Sequence, residues 1–439
     1  MAQSSTRRVV ITGLGIISPL GNSKESLWQA LVEGRSGVRA LQREPPHHLP
    51  TSIAAEAWDF SGKIDDFGPL PPARKKAIRK GLKVMCRESQ MGVAAAQLTW
   101  ADAGLAESSL DPERAGVVFG SDYMLTLPEE FSAGVRQCSN EDGSFDYSRW
   151  ATKGLEQMQP LWLLKYLPNM PASHIAIYQD LRGPNNSITH REAAGNLAID
   201  EAYHTIKRGR ADAIIAGATG TRVHTMKSVH AAQTEQLASN GRDPAKASRP
   251  FDRHRTGMVL GEGAGAILLE ERSAALARGA TIYAEVVGAG SSSVVDRRRV
   301  AHGDQALANA MRACLRDASA KPDEIGHIHA HGLSTLSSDA AEARAIGAVF
   351  GPAARALPVV AAKSHFGNLG AGSGVVELIA SVLAIGKGRL FPVLNYETAD
   401  PECPVAAVAA PDTPPGDSFL NLSITPQGQA AAVLVRADH

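Results

Sequence analysis

The chain has 439 residues, 45 basic (Lys and Arg) against 45 acidic side chains, 44% hydrophobic residues and 41 glycines. This neutral balance, with no long basic run or acidic tail, excludes nucleic acid as an expected partner. The opening MAQSSTRRVVITG has no apolar leader and no 18-residue apolar stretch follows, so the chain reads as soluble and cytoplasmic, without a membrane partner.

Arg8–Gly15 is a β-branched run ended by glycine, a buried strand. After the Gly21-Asn22-Ser23 turn a helix begins, with Ser23 and Ser26 as caps and Trp28, Leu31 and Val32 as its buried stripe. Residues 40–72 are Pro-rich and read as surface loop. Arg74–Gly104 predicts one or two helices with Met85, Met91, Ala94, Ala95 and Leu98 inward. Its basic group, Arg74, Lys75, Lys76, Arg79 and Lys80, is a solvated helix face first and a dock for an acidic partner second. Ala115–Ser121 is a buried strand, and 122–165 is less regular and contains aromatics.

Asn185–Thr189 predicts a strand, and a helix starts near Glu192 with Ala194, Ala198, Ile199, Ala202 and Ile206 at helical spacing. Ala211–Gly217 is then a buried strand. A side chain at such a turn sits over a helix N-terminus, where N–H groups and the dipole favour negative charge. Here that side chain is Glu192. Downstream, Thr281–Gly290, Gly326–His331, Pro358–Lys363 and Ala430–Arg436 predict strands and Val375–Ile385 a helix. Cys86, Cys138, Cys314 and Cys403 lack CxxC or metal spacing, and His47-His48 lie adjacent in a Pro-rich stretch, so neither metal nor cofactor is expected.

LRGPNNSITHREAAG, residues 181–195, resembles the nucleophile segment of the β-ketoacyl-acyl-carrier-protein synthases, the condensing enzymes of fatty-acid and type II polyketide synthesis. The match needs no gap from Asn169 to Gly217. Ala247–Glu271 is a second similar block, with SRPFD, an Arg-x-Gly and a GEGAG turn at Gly261, Gly263 and Gly265. The resemblance covers essentially the whole chain. It implies an α/β thiolase-like fold with two related halves, residues 1–270 and 275–439, forming a five-layer αβαβα core. It also implies a cap insertion near 122–165 over the substrate tunnel.

The family's site positions carry over residue by residue. In catalytic members the position of Glu192 is a cysteine that holds the acyl chain as a thioester, which a carboxylate cannot form. His331, in IHAHGLST, matches the family's His-Gly-Thr-Ser-Thr motif except at Leu333; there it helps decarboxylate the malonyl extender. Lys363 is retained, and Glu342 matches the acidic residue expected to pair with it, because an unpaired buried charge is costly. Asn368 stands where the family has a second catalytic histidine; it can donate a hydrogen bond but cannot shuttle a proton. The family's glycine-rich gate loop is replaced by Asn421–Gln429, in which Pro426 removes a donor and fixes φ.

Nucleophile, second histidine and gate are changed while the framework survives. This resembles the chain-length factors, or KSβ subunits, although the His331 motif is better kept than in many of them. The resemblance implies a non-condensing subunit paired with a catalytic ketosynthase and served by acyl carrier protein, with Tyr178, Gln179 and the cap at the tunnel and interface. Two other readings are a malonyl-carrier decarboxylase using Glu192, His331 and Asn368, and a homodimeric scaffold for acyl carrier protein. The decarboxylase reading gives Glu192 a base role if burial raises its pKa from about 4.3. Glu192 is expected in a satisfied polar cluster, with His331 its nearest neighbour and Asn368 next.

Overall fold

The computed structural model describes residues 7–42, 51–105, 110–239, 243–410 and 412–438; His47 and His48 lie outside them. Ten strands make the framework. The first five are β1 (Val9–Ile17), β2 (Ala115–Ser121), β3 (Asn185–Thr189), β4 (Ala213–Thr221) and β5 (Glu262–Glu271). The next five are β6 (Ala284–Ser293), β7 (His327–His329), β8 (Pro358–Val360), β9 (Ser418–Ile424) and β10 (Gln429–Arg436). In space the first set runs β1-β5-β4-β2-β3 and the second β6-β10-β9-β7-β8. In both, the first two joins are antiparallel and the last two parallel. The order is thus the same twice, although no sequence identity between the halves advertises it. The sets meet where β1 pairs β6 through Val9–Val286, Val10–Glu285 and Ile11–Ala284. The two-residue strand Ala406–Ala407 lies outside β8.

Four helices complete the layers. α1 (Arg87–Asp102) and α3 (Gly303–Asp317) follow the first strand of each set, and α2 (Ala194–Lys207) and α4 (Ser373–Lys387) follow the third. α2 and α4 touch strands of both sets, so they form the middle of five layers. Ile199 of α2 and Val375 and Ile379 of α4 join Ile214 and Val433 in one core. α4 is apolar nearly all round, as a helix enclosed by protein must be. Against the expectation of no such stretch, the 18 residues Gly370–Lys387 are apolar enough by length and composition to cross a membrane, but 83% of that stretch is buried in the core. α1 covers the outer face of the first set and α3 that of the second.

Two readings change and one holds. Residues 51–67 are not surface loop: Ala55, Ala57, Phe60 and Phe67 are buried. Prolines mark turns there, but the apolar residues between them still seek the core. Asn421 to Ile424, read as the lost gate loop, belongs to β9 instead, and only Thr425–Gly428 turns. In the basic group, Lys75 pairs with Asp65 at 2.9 Å and Arg74 lies over the Trp100 ring at 5.8 Å, as expected of a solvated face.

β1 approaches α1 closely at Gly15, where an added Cβ would sit 2.0 Å from the Ala95 carbonyl oxygen and 2.6 Å from the Thr99 nitrogen. Both are backbone atoms of a packed helix and cannot step aside cheaply. Gly15→Ala is expected to lower stability by about 3 kcal/mol in urea unfolding. An unchanged midpoint would show that α1 has room to move.

Candidate functional site

Glu192 lies in the tight turn between β3 and α2, formed by Arg191–Ala193. Arg191 has φ 47°, the left-handed region that residues other than glycine seldom enter. Beside it the Glu192 side chain is 1% exposed. Its Oε1 accepts from Arg222 Nη2 and from Asn368 Nδ2, the latter at 3.1 Å. Its Oε2 faces Arg191 Nε at 3.5 Å.

Arg222, the residue after β4, is fully buried. Carboxylate oxygens of Asp122 and Glu235 lie 3.8 Å and 3.7 Å from it. Arg191 pairs with Glu235 at 2.6 Å and so closes the cluster. Two guanidiniums and three carboxylates therefore occupy one buried volume. Lys227 and Glu88 form a further buried pair, and Glu88 feels the Asp122 charge. Burial pushes the Glu192 carboxyl up, but the Arg222 and Arg191 charges, with the Asn368 hydrogen bond, hold it well below the usual carboxylate range. The same anions keep the Arg222 guanidinium charged against the pull of burial.

Asn368 is fixed by its other half. Its Oδ1 accepts from Gly370 N at 3.0 Å, which leaves the amide nitrogen to donate to Glu192. His331 is buried at the end of the β7 turn. Lys363 Nζ lies 3.3 Å from His331 Nδ1 and 2.8 Å from its carbonyl oxygen. Burial, then the Lys363 charge, holds this imidazole neutral, well below its usual pKa. With Nδ1 facing a lysine donor, the proton belongs on Nε2.

The backbone of the His331 motif hangs on two carboxylates. Glu342 accepts from His331 N at 2.6 Å and Gly332 N at 2.8 Å, and Asp339 accepts from Leu333 N and Ser334 N, both at 3.0 Å. Both sit on the helix Leu336–Phe350.

The structure brings Glu192 and Asn368 into contact and sets His331 within reach of the Glu192 charge. It corrects the expected Lys363–Glu342 pair. Lys363 pairs with Glu377 of α4, while Glu342 is taken up by the two backbone N–H groups. It also corrects the neighbour of Glu192, which is Arg222 rather than His331. Nor does burial make Glu192 a base: its carboxyl is depressed, and a depressed carboxylate is a weak base at neutral pH. Tyr178 and Gln179 lie elsewhere, on the helix Met170–Gln179. Tyr178 stacks on His174, ring centroids 5.7 Å apart, and Gln179 is buried with neither amide atom hydrogen-bonded.

Arg222, Arg191, Asp122 and Glu235 were not anticipated. Only Arg222 left a signal, a charged residue directly after the long small-residue strand AIIAGATGT. All four cysteines are buried, and burial pushes Cys86 and Cys403 up to about 12, so these thiols are poor nucleophiles. Among the described residues no group of three or more His, Cys, Asp or Glu is arranged to hold a metal ion.

Removing one partner of a buried pair leaves the other charge uncompensated. Glu192→Gln is expected to cost about 3 kcal/mol, the low end of such losses, because Asp122 and Glu235 remain near Arg222. The folded carboxyl is depressed, so its contribution is complete above the unfolded carboxylate range of about 4.3 and is lost only as pH falls through the lower folded value. The stability gap between wild type and Glu192→Gln should be flat from about pH 8 to about pH 5 and narrow in stronger acid. Urea unfolding across that range measures it, and a gap that widens in acid would contradict the pairing.

The β-ketoacyl synthase N-terminal domain family matches residues 6–275, and the β-ketoacyl synthase C-terminal domain family matches residues 283–397. A curated relative, 3-oxoacyl-[acyl-carrier-protein] synthase 2 of Coxiella burnetii (strain RSA 493 / Nine Mile phase I), is 36% identical over 400 residues, 90% of each chain. Among solved structures, the ishigamide ketosynthase/chain length factor matches with TM-score 0.83 and 29% identity over 99% of this chain and 100% of that one. A type II PKS acyl-carrier protein in complex with its ketosynthase bound to the hexaketide matches with TM-score 0.83 and 26% identity over the same shares.

Proposed function

We propose a non-condensing role for this chain, which belongs to the β-ketoacyl synthase family. In this reading it is a chain-length-factor subunit that pairs with a cysteine-bearing ketosynthase, meets acyl carrier protein in the cytoplasm and shapes the tunnel for the partner's growing chain. The observation that carries it is the Glu192–Arg222 pair. A charge-paired carboxylate stands at the family's thiol position, and no thiol described here is placed to replace it. Condensation by acyl transfer needs such a nucleophile.

Two further observations support a partner. Among the described residues β3 is an edge strand that ladders to β2 alone, with Asn185, Asn186 and Thr189 exposed. An open parallel edge is a pairing surface that proteins normally cover. A solved relative at 29% identity is described as a ketosynthase/chain length factor. On this reading His331 and Asn368 are remnants of the ancestral site. Tyr178, Gln179 and the cap at 122–165 would form the wall that limits chain length. Malonyl decarboxylation is disfavoured, since an ionised Glu192 would repel the incoming carboxylate.

Incubated with acyl-carrier thioesters, the chain should show no stable acyl adduct by intact mass. Glu192→Cys should remain inactive in condensation, because the new thiol would face the stranded Arg222 and Asn368 would still occupy the histidine position. Co-expressed with its ketosynthase, it should elute as a heterodimer, and bulky substitution at Tyr178 should shorten the partner's products while sparing the first condensation. A partner equally active and equally length-selective alone would defeat the proposal.

A further inference from the structure

A cavity of about 430 Å³ opens at the C-terminal end of α4, within the roughly 300–1,000 Å³ range of ligand sites. α4 runs from Ser373, near Asn368, to Lys387, so about 20 Å of helix separates this cavity from the Asn368 loop. Val382 and Leu383 of α4 form one wall. Trp28 of the helix Lys24–Val32 forms a second, and Tyr283, just before β6, a third.

One lining charge is already matched. Lys24 Nζ donates to Asp102 and, at 2.6 Å, to Tyr283 Oη, which itself donates to Asp102 Oδ2 at 3.0 Å. Three polar groups of the lining are left over. Glu25 and Lys387 are exposed, and among the described residues neither side chain makes a hydrogen bond or ion pair. Trp28 is only 8% exposed, and its indole N–H likewise has no acceptor among them. The Trp100 N–H is sealed in protein without a partner, whereas that of Trp28 is not sealed and opens on the space its ring lines. The cavity thus combines an apolar floor with one free anion, one free cation and one neutral donor. The two charges come from different elements, Glu25 from the first helix and Lys387 from the last turn of α4. Opposite charges beside an apolar floor complement a small zwitterion with an apolar body.

We propose that this cavity binds a free apolar α-amino acid, with its carboxylate at Lys387 and the Trp28 N–H, its ammonium at Glu25 and its side chain on Trp28, Val382 and Leu383. A plain carboxylate would meet the Glu25 charge with nothing to pair it, and a plain amine would meet that of Lys387. A residue inside a peptide would lose one of its two charges to an amide bond. The inference does not depend on pairing with a ketosynthase.

Three probes of one skeleton test it on the full-length chain: L-phenylalanine, 3-phenylpropanoate, which lacks the amino group, and phenethylamine, which lacks the carboxylate. Ligand-observed NMR titration at low salt should show phenylalanine binding about threefold tighter than either, the worth of one exposed ion pair. Glu25→Gln should erase the preference over 3-phenylpropanoate and keep that over phenethylamine, and Lys387→Gln should do the converse. Gly386 also lines the cavity, and a Cβ added there meets nothing within 4 Å. Gly386→Trp should therefore fill the space and abolish binding of all three probes without lowering the thermal melt, since a helical glycine gives way to a better helix former. No binding of phenylalanine by wild type, equal binding of the three probes, or undiminished binding to Gly386→Trp would overturn the proposal.

Discussion

Arg222 has no access to water, and a guanidinium cannot shed its charge by deprotonation. Carboxylates must therefore gather round it, and Glu192, Asp122 and Glu235 do so from three separate segments of the chain. That one requirement ties the turn before α2, the first residue of the cap and the stretch after the helix Thr225–Thr234 to the end of β4. Asn368 joins through Glu192, and with it the loop that leads into α4. These charges depend on one another. Buried pairs of this kind add little net stability but punish the loss of a single member.

The second constraint is the loop carrying His331. Ser334 and Gly332 both have positive φ, so the loop bends sharply and presents successive N–H groups to one side. Asp339 and Glu342 accept four of these bonds from one helix. Burial pushes Glu342 up to about 7 and Asp339 up to about 6, with the loop's own N–H groups pulling the other way. Glu342 is thus bound to the shape of the loop and is not free to neutralise Lys363, and Glu377 on a different helix takes that task. Motif matching identified the acidic position; the strand-to-turn geometry decided its job.

Much of the fold was legible because it rests on local pattern. β1, β2 and α4 showed as apolar runs of the right length, and the Glu192 turn showed as a switch from strand to helix spacing. β9 was hidden because SFLNLSI was compared with a loop motif rather than read as a seven-residue buried run. At the site, the contact between Glu192 and Asn368 followed from aligned positions. Arg222 did not, because its partners lie 30, 100 and 13 positions away and no spacing rule links them. The neutral state of His331 was invisible for the same reason, since it depends on burial and on a lysine 32 positions downstream.

The repeated strand order ends differently in its two copies. The outermost strand of the second set, β8, is covered by Ala406–Ala407, a segment too short to recruit another chain, whereas among the described residues no strand pairs with the outer edge of β3 at the far end. Sheet growth by edge-to-edge addition needs two open ends on every subunit. Among the described residues this chain has one. If it joins its proposed partner through β3, that contact uses the edge left open, and the assembly would stop at two members instead of propagating into a fibre. On that proposal, a blocked terminus a mere two residues long separates a finite complex from an open-ended polymer.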